Sequence, residues 1–272
     1  MAELPSVGVF YNAEIRNNGT ARRVTDSLVR MGFKDSGMVR YNRPPYGGEE
    51  EVQKHDFHIF VDDGRDAITY IPPKPNACWL VDTHLGYEQR LAWAKQYDHA
   101  FLAQLPDVAR MKEDGIQSVH WLPLACLPGV DPTAQEMVQA SVLSEIPPVE
   151  WDVIFVGYLN QGVPEGGGND RLDFLDYVFE KVPNSWLAFN KFFVEAAMRV
   201  AKARTNFNIS IKDDLNMRFF ETLSYGTCLV TNRDVVGWKE LGFEEGKHFL
   251  GYEGKEEAVE AINQALKDPM GR

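Results

Sequence analysis

The sequence has few cysteines, no excess of basic residues and no long apolar run. Its three cysteines, among 272 residues, form no C-x-x-C pair, so we interpret them as reduced thiols in the core. The net charge of −12 argues against a nucleic-acid partner, because such proteins need a cationic surface to displace counterions. No apolar run is long enough to cross a bilayer, and the first residues lack a basic segment before an apolar core. We therefore expect no stable membrane insertion and a cytoplasmic protein.

Several motifs of other enzyme classes are also missing. The sequence contains neither G-x-G-x-x-G nor the P-loop pattern, which disfavours dinucleotide oxidoreductases and P-loop kinases. It has no G-x-S-x-G elbow, which argues against an α/β hydrolase. His55 and His58 have H-x-x-H spacing, but on a strand their rings point to opposite faces. We therefore predict no metal site.

Strand-like and helix-like segments alternate along the chain, which indicates parallel sheets with crossover connections. The first half begins with a buried strand at Val7–Asn12 and a helix at about Ala21–Met31. The alternation stops at Leu127–Trp151, which is rich in proline and polar residues. It then restarts with the apolar run WDVIFVGYL. We therefore predict an α/β protein with two domains, residues 1–127 and 151–272, and a linker over 128–150.

The segment Ile211–Asn232 is predicted to form a loop, a helix, a tight turn and a strand. We expect the helix to start near Leu215, with Asp213 or Asp214 as its N-cap. Glu221 follows Asp213 by eight positions and lies further along the helix. Sugar hydroxyls prefer carboxylate acceptors, and a diphosphate prefers a helix N-terminus with cations nearby. This segment therefore suits a sugar nucleotide.

Together with GWKELGFEEGKHFLGYEGKEEAVEAI, the segment resembles the donor-binding half of a GT-B glycosyltransferase. It is most similar to the group-1 type and to the CgeB-like spore-maturation branch. In that family a helix carries an E-x7-E motif; here Asp213 holds the first acidic position and Glu221 the second. The resemblance covers about Trp151–Leu266. It implies two Rossmann-like domains with parallel sheets facing a central cleft, and the transfer of a sugar from a nucleotide-sugar donor to an acceptor with retention at the anomeric carbon.

The resemblance gives the acidic pair its roles. Glu221 would accept the ribose hydroxyls, and Asp213 would contact the transferred sugar. The backbone N–H groups of the first helical turn could cradle a phosphate, and two cations could stabilise the departing diphosphate. The residues concerned are Asn216, Met217, Arg218 and Lys212. The structural alternative is a helix cap with an ion pair to Arg218 or Lys212, and cations that are simply exposed.

A second group of candidates surrounds the first strand of the donor half. The string VGYLNQG is similar to the strand end that opens the donor domain in this family. Gly157 would let the backbone approach the donor closely, and Tyr158 would line the cleft. Arg171, after the glycine-rich loop, would meet phosphate. The alternative for this stretch is a plain transition from strand to loop.

The first half contributes weaker candidates. His84 follows a buried strand, where ligands of open α/β sheets bind, so it could face the acceptor or transfer a proton. A capping or packing histidine is the alternative. Gly19 and Thr20 lie in the loop before the first helix, where the family has small residues near the reacting sugar. Thr20 is also a candidate N-cap.

The sequence also lacks D-x-D, the motif of the metal-dependent GT-A class. Its absence favours a metal-independent reaction in which the helix dipole and cations stabilise the leaving group. We expect no cofactor beyond the nucleotide-diphosphate sugar that serves as donor. The acceptor stays open among a carbohydrate, a small molecule and a protein. A non-catalytic protein that binds sugar nucleotides or carbohydrates on the same fold is the alternative function.

Overall fold

The computed structural model describes residues 4–11, 20–33, 35–40, 54–62, 71–126, 149–157, 168–189 and 193–267. The chain divides into two compact units, Met1–Pro123 and Leu124–Arg272. Among the described residues, none of the helices combines the length and apolar character needed to span a membrane. Most of the predicted linker lies outside the described residues.

The first unit is built on a six-stranded parallel sheet with the order β2-β1-β3-β4-β5-β6. Its strands are β1 (Val7–Tyr11), β2 (Gly37–Arg40), β3 (Phe57–Val61), β4 (Asn76–Leu80), β5 (His99–Leu102) and β6 (Val119–Trp121). Its helices are α1 (Thr20–Arg30), α2 (Tyr87–Ala94) and α3 (Leu105–Glu113), with a short 3₁₀ helix at Thr83–Leu85.

The strands of this sheet are apolar because a parallel sheet is covered on both faces. Every residue of β1 and β4 is buried. One core cluster packs strand residues such as Phe10, Leu80 and Leu102 against α2 and α3, where Leu91 and Met111 are buried. Strand β2, at the edge of the sheet as the described residues define it, was not predicted from the sequence.

The second unit has a five-stranded parallel sheet with the order β8-β7-β9-β10-β11. Its strands are β7 (Trp151–Gly157), β8 (Ser185–Phe189), β9 (Ala203–Asn208), β10 (Cys228–Asn232) and β11 (Leu250–Tyr252). Its helices are α4 (Gly168–Lys181), α5 (Phe193–Ala201), α6 (Met217–Ser224) and α7 (Lys255–Lys267). Apolar residues of α4 and α7 pack on one face around Phe155, Phe207 and Tyr252.

Both sheets therefore have the strand order of a doubly wound fold, which confirms the predicted α/β class with two parallel sheets. In such sheets, ligands bind outside the carboxyl ends of the strands, at the point where the strand order reverses. In the second sheet that point lies between β7 and β9. The two strands end at Gly157 and Asn208, so this edge is the first place to look for a site.

Candidate functional site

The loop from β9 to α6 contains two consecutive residues with left-handed backbone. Lys212 has φ 50° and Asp213 has φ 60°, and both are exposed. The Asp213 carbonyl accepts a hydrogen bond from the Val236 N–H at 3.0 Å, which holds this conformation. Left-handed backbone is unfavourable for most residues other than glycine, asparagine and aspartate, so Lys212 is the less common case of the two. Such conformations concentrate at functional sites.

This loop corrects the predicted start of the helix. Neither Asp213 nor Asp214 is the N-cap: the helix begins at Met217 and its N-cap is Asn216, whose Oδ1 accepts from the Phe219 N–H at 3.1 Å. Asp213 lies in the left-handed turn, so the eight positions that separate it from Glu221 are not all helical. Of the residues predicted to cradle a phosphate, Asn216 is the N-cap, and Met217 and Arg218 are the first two helical residues.

A network of short polar side chains fixes the N-terminus of α6 to the sheet. Asn216 Nδ2 donates to Ser210 Oγ at 2.7 Å and to Asn208 Oδ1 at 3.3 Å. Asn208 Nδ2 donates to Thr231 Oγ1 at 3.0 Å. Asn232 Oδ1 accepts from the Ser210 N–H at 2.7 Å. These bonds occupy the Asn216 side chain, and its backbone N–H donates to the Asp214 carbonyl at 3.0 Å. Neither its side-chain amide nor its backbone N–H is therefore left for a phosphate.

The sequence analysis missed these network residues, although the chain carried a signal for them. Asn208, Ser210, Thr231 and Asn232 all lie at or just beyond the carboxyl ends of β9 and β10. Polar residues that end apolar strands cluster at one edge of a parallel sheet. The strings FNIS and VTN therefore pointed to this edge.

Arg218 and Glu221 form an ion pair on α6. Arg218 Nη1 lies 3.0 Å from Glu221 Oε2, and their side chains are only 19% and 12% exposed. The ion pair named as the structural alternative is therefore present. Two largely buried opposite charges next to a helix N-terminus also form a surface that can bind both a hydroxyl and a phosphate.

Arg171 supplies a second cation at this edge. Its Nη2 donates to the Ile209 carbonyl at 2.9 Å, and its guanidinium lies 5.1 Å from the centroid of the Phe155 ring. Burial, together with the nearby charge of Arg218, lowers the pKa of Arg171 to about 10. Two cations that destabilise each other favour an anion bound between or beside them.

Gly157 has a packing role in this arrangement. A Cβ at this position would lie 2.4 Å from the Phe155 ring and 3.5 Å from Arg171 Nη2. The glycine therefore allows Phe155 to occupy the end of β7 and to support Arg171. The helix that carries Arg171 begins at Gly168. Tyr158, the other candidate at this strand end, lies outside the described residues.

The first unit holds His84 in a defined turn. His84 lies in the 3₁₀ helix that follows β4, and this helix begins after Asp82, which has a left-handed φ of 53°. Thr83 is buried and its hydroxyl bonds to Asp107, while Gln104 Oε1 accepts from the Thr83 N–H at 3.2 Å. These hydrogen bonds link the turn to α3 and thereby hold the backbone of His84 beyond the carboxyl end of β4.

A buried ion pair supports the same turn from the other side. Arg90 Nε donates to Asp62 Oδ2 at 3.0 Å and to the Val81 carbonyl at 2.8 Å.

The two candidates before α1 have different outcomes. Thr20, predicted as the N-cap of α1, is instead its first helical residue. Gly19 lies outside the described residues.

The left-handed turn gives a prediction for stability. We expect Asp213→Asn to be as stable as the parent, and Asp213→Val to lose about 1–2 kcal/mol relative to Asp213→Asn. The reason is that asparagine tolerates left-handed backbone, whereas a β-branched side chain does not. Urea unfolding of the two variants measures the difference in their free energies of unfolding. Because the Asp213 side chain is exposed, a change in side-chain packing does not contribute to this difference. Equal stabilities would mean that the turn carries no strain.

Comparisons with known proteins agree with this architecture. Residues 186–272, which include β9, α6 and β10, match a family model described as glycosyl transferase-like. No curated protein matches the sequence. Anabaena HepE, solved with UDP and glucose, is similar at 12% identity and a TM-score of 0.58, over 98% of this chain and 91% of that one.

Two further solved structures are similar over nearly the whole chain. An alpha-glucosyltransferase in complex with UDP and DNA matches at 12% identity and a TM-score of 0.62, over 97% of this chain and 91% of that one. The alpha,alpha-trehalose 6-phosphate synthase of Burkholderia multivorans matches at 12% identity and a TM-score of 0.59, over 99% and 92%. The chain therefore has the GT-B fold, and residues 186–272 of its second unit are similar to the glycosyl transferase-like family.

Proposed function

We propose that this protein is a glycosyltransferase that moves a sugar from a nucleotide-sugar donor to an acceptor, with the donor held by the second unit. The observation that carries this proposal is the convergence of the α6 N-terminus, Arg218 and Arg171 at the switch point of the second sheet. The family match over residues 186–272 supports it, since that match contains α6.

The donor would bind with its diphosphate at the start of α6. Met217 and Arg218 are the first two residues of this helix, and the helix dipole favours a negative charge at this end. The guanidinium groups of Arg218 and Arg171 add two cations. The exposed Lys212 lies in the loop that precedes this helix, close enough in sequence to add a third.

Glu221 would then hold the ribose. It lies one helical turn beyond Arg218, and a carboxylate accepts two hydroxyl groups with good geometry. Asp213 would contact the transferred sugar from the left-handed turn, and His84 would serve the acceptor or transfer a proton. HepE and the alpha-glucosyltransferase were solved with UDP or UDP-glucose, so UDP-glucose is the first donor to test.

Binding and turnover measured together would test the proposal. Isothermal titration with UDP-, GDP-, ADP- and TDP-glucose should identify one donor that binds, and slow hydrolysis of that donor should release the nucleoside diphosphate. Binding without hydrolysis or transfer over a broad acceptor panel would favour a non-catalytic sugar-nucleotide-binding protein. Absence of binding to every nucleotide sugar would overturn both functions.

Metal independence is a prediction within this proposal. We expect donor hydrolysis or transfer to be unchanged in excess EDTA, because helix dipole and cations would replace a metal at the diphosphate. The measurement is the initial rate with and without chelator. A rate that disappears with EDTA and returns with Mg²⁺ or Mn²⁺ would contradict it.

Three finer assignments are part of the proposal. Retention at the anomeric carbon and membership of the CgeB-like branch follow from the resemblance of the sequence. The acceptor is a carbohydrate, a small molecule or a protein. One structural neighbour was solved with DNA, but the net charge of −12 argues against a nucleic-acid acceptor here. Product analysis by NMR, which reads the anomeric configuration, tests retention directly.

A further inference from the structure

Two histidines of the first unit converge on one hydroxyl group. His99 Nδ1 lies 2.7 Å from Ser118 Oγ, and His120 Nε2 lies 3.2 Å from the same oxygen. The two ring nitrogens are therefore separated by less than the sum of these distances. Both histidines are exposed, and Ser118 is half-buried.

The strand register explains this convergence. Strands β5 and β6 pair in parallel, with Ala100 opposite Val119 and Phe101 opposite His120. Alternate residues of a strand share a face, and paired residues lie on the same face. His99, Ser118 and His120 therefore point to one side of the sheet, while Ala100 and Val119 point into the core on the other.

Neighbouring aromatic rings support the two imidazoles. The His120 ring lies 5.7 Å from that of Phe101, and the His99 ring lies 6.4 Å from that of Phe57, as centroid distances. The histidines thus project from a sheet, which is a rigid base. The arrangement contrasts with that of His55 and His58, for which the spacing along a strand predicted rings on opposite faces and no shared metal.

We propose that His99 and His120 form a binding site for a borderline divalent transition metal ion of the zinc class. Imidazole nitrogens are preferred ligands of these ions, and Zn²⁺ binds them at about 2.0–2.1 Å. The ion would occupy the region where Ser118 Oγ now lies between the two nitrogens. Rotation of the exposed rings and of the hydroxyl opens that position, and water molecules complete the coordination.

The protonation states of the two imidazole rings determine when the metal ion can bind. Where a hydroxyl lies between two neutral imidazoles, it donates to one nitrogen and accepts an N–H from the other. Metal binding needs a lone pair on both, so the second ring must shift its proton to its other nitrogen. Both rings must also be neutral, so acid releases the ion.

The site is independent of the proposed sugar transfer. His99 is the first residue of β5 and Ser118 immediately precedes β6, so the cluster lies towards the amino ends of these strands. Ligands of parallel sheets bind at the carboxyl ends. An ion here would instead link β6, a strand of three residues at the sheet edge, to β5.

Titration of the untagged full-length protein with Zn²⁺, and with Mg²⁺ for comparison, tests the site. We expect one equivalent of Zn²⁺ to bind at pH 7.5 and none of Mg²⁺, which prefers oxygen ligands. His99→Gln and His120→Gln should each weaken Zn²⁺ binding by at least about ten-fold, since each removes a direct ligand. Ser118→Ala should keep binding, because it removes only the intervening hydroxyl.

The control variant is His248→Gln, which changes a histidine of the second unit whose Nδ1 accepts from the Glu244 N–H. It should bind Zn²⁺ like the parent. Zn²⁺ should also raise the melting temperature of the parent but not that of the His99→Gln/His120→Gln double variant, because an ion that binds only the folded state stabilises it. Lack of Zn²⁺ binding by the parent, or binding that survives in the double variant, would overturn the proposal.

Discussion

Glu221→Gln should bind the donor about ten-fold or more weakly than the parent while keeping its fold. A hydrogen bond to a charged group contributes about 1.5–3 kcal/mol, and 1.4 kcal/mol corresponds to a factor of ten in affinity. Glutamine keeps the shape of the side chain and removes the charge that would hold the ribose hydroxyls. The measurement is isothermal titration with the donor that the parent binds best.

The ion pair with Arg218 makes a control necessary. Removing one partner of a largely buried pair leaves the other charge uncompensated and lowers stability. Glu244→Gln is a matched variant, since Glu244 pairs with Lys247 at the same i,i+3 spacing, but both side chains are more than half exposed. It should change neither donor affinity nor, measurably, stability, because an exposed ion pair contributes little.

The two measurements separate a binding role from a structural one. A lower donor affinity with a modest loss of melting temperature assigns Glu221 to the donor. If donor affinity stays at the parent value while the melting temperature falls by several degrees, the carboxylate serves only the ion pair. The donor assignment of α6 would then lose its main support.

The fold was predictable from the sequence because its signals are local and repeated. Buried parallel strands such as β1 and β4 are short apolar runs, and helix patterns lie between them. The tight turn predicted after α6 is made by Gly226, which has φ 70° immediately after the C-cap Tyr225. The C′ residue of such a helix has left-handed backbone, which glycine adopts without a steric penalty. The identity of this one residue is therefore enough to predict the helix end.

The start of the same helix was not predictable, because its contacts with the end of β9 decide it. Asp213, Asp214 and Asn216 are all competent N-caps. Asn216 takes the N-cap position because its side-chain amide also donates hydrogen bonds to Asn208 and Ser210 at the end of β9. The sequence pattern of the helix does not reveal these hydrogen bonds. Strands β2 and β11 were missed for a related reason, since such short edge strands form only by pairing with a neighbour.

The surroundings of Arg171 are a third case of this kind. From the sequence, a phosphate ligand and a plain loop residue were equally open. The structure adds the Phe155 ring beneath the guanidinium and the glycine that makes room for it. Because Phe155 and Gly157 lie on β7 and Arg171 lies on α4, the contact depends on the packing of α4 against β7. Sequence spacing alone could name the residue but not its environment.

Arg218→Ala should affect turnover more than donor affinity. If Arg218 stabilises the charge that develops on the leaving diphosphate, its contribution is largest in the transition state. Loss of one such electrostatic contact lowers kcat by about 100-fold or more. We expect the donor dissociation constant to rise by less than about ten-fold, since Arg171 and the helix N-terminus remain. Single-turnover rates and titrations on the same preparation give both quantities.

Two further variants make the interpretation of Arg218→Ala specific. Arg218→Lys keeps the charge and should recover part of kcat, although its single ammonium cannot reproduce the bidentate geometry of a guanidinium. Arg199→Ala removes another helical arginine of the second unit, paired with Glu195 at 2.9 Å, and should leave kcat unchanged. If Arg218→Ala lowers affinity and turnover by equal factors, the guanidinium contributes uniform binding instead. In that case the helix dipole and Arg171 would stabilise the leaving group.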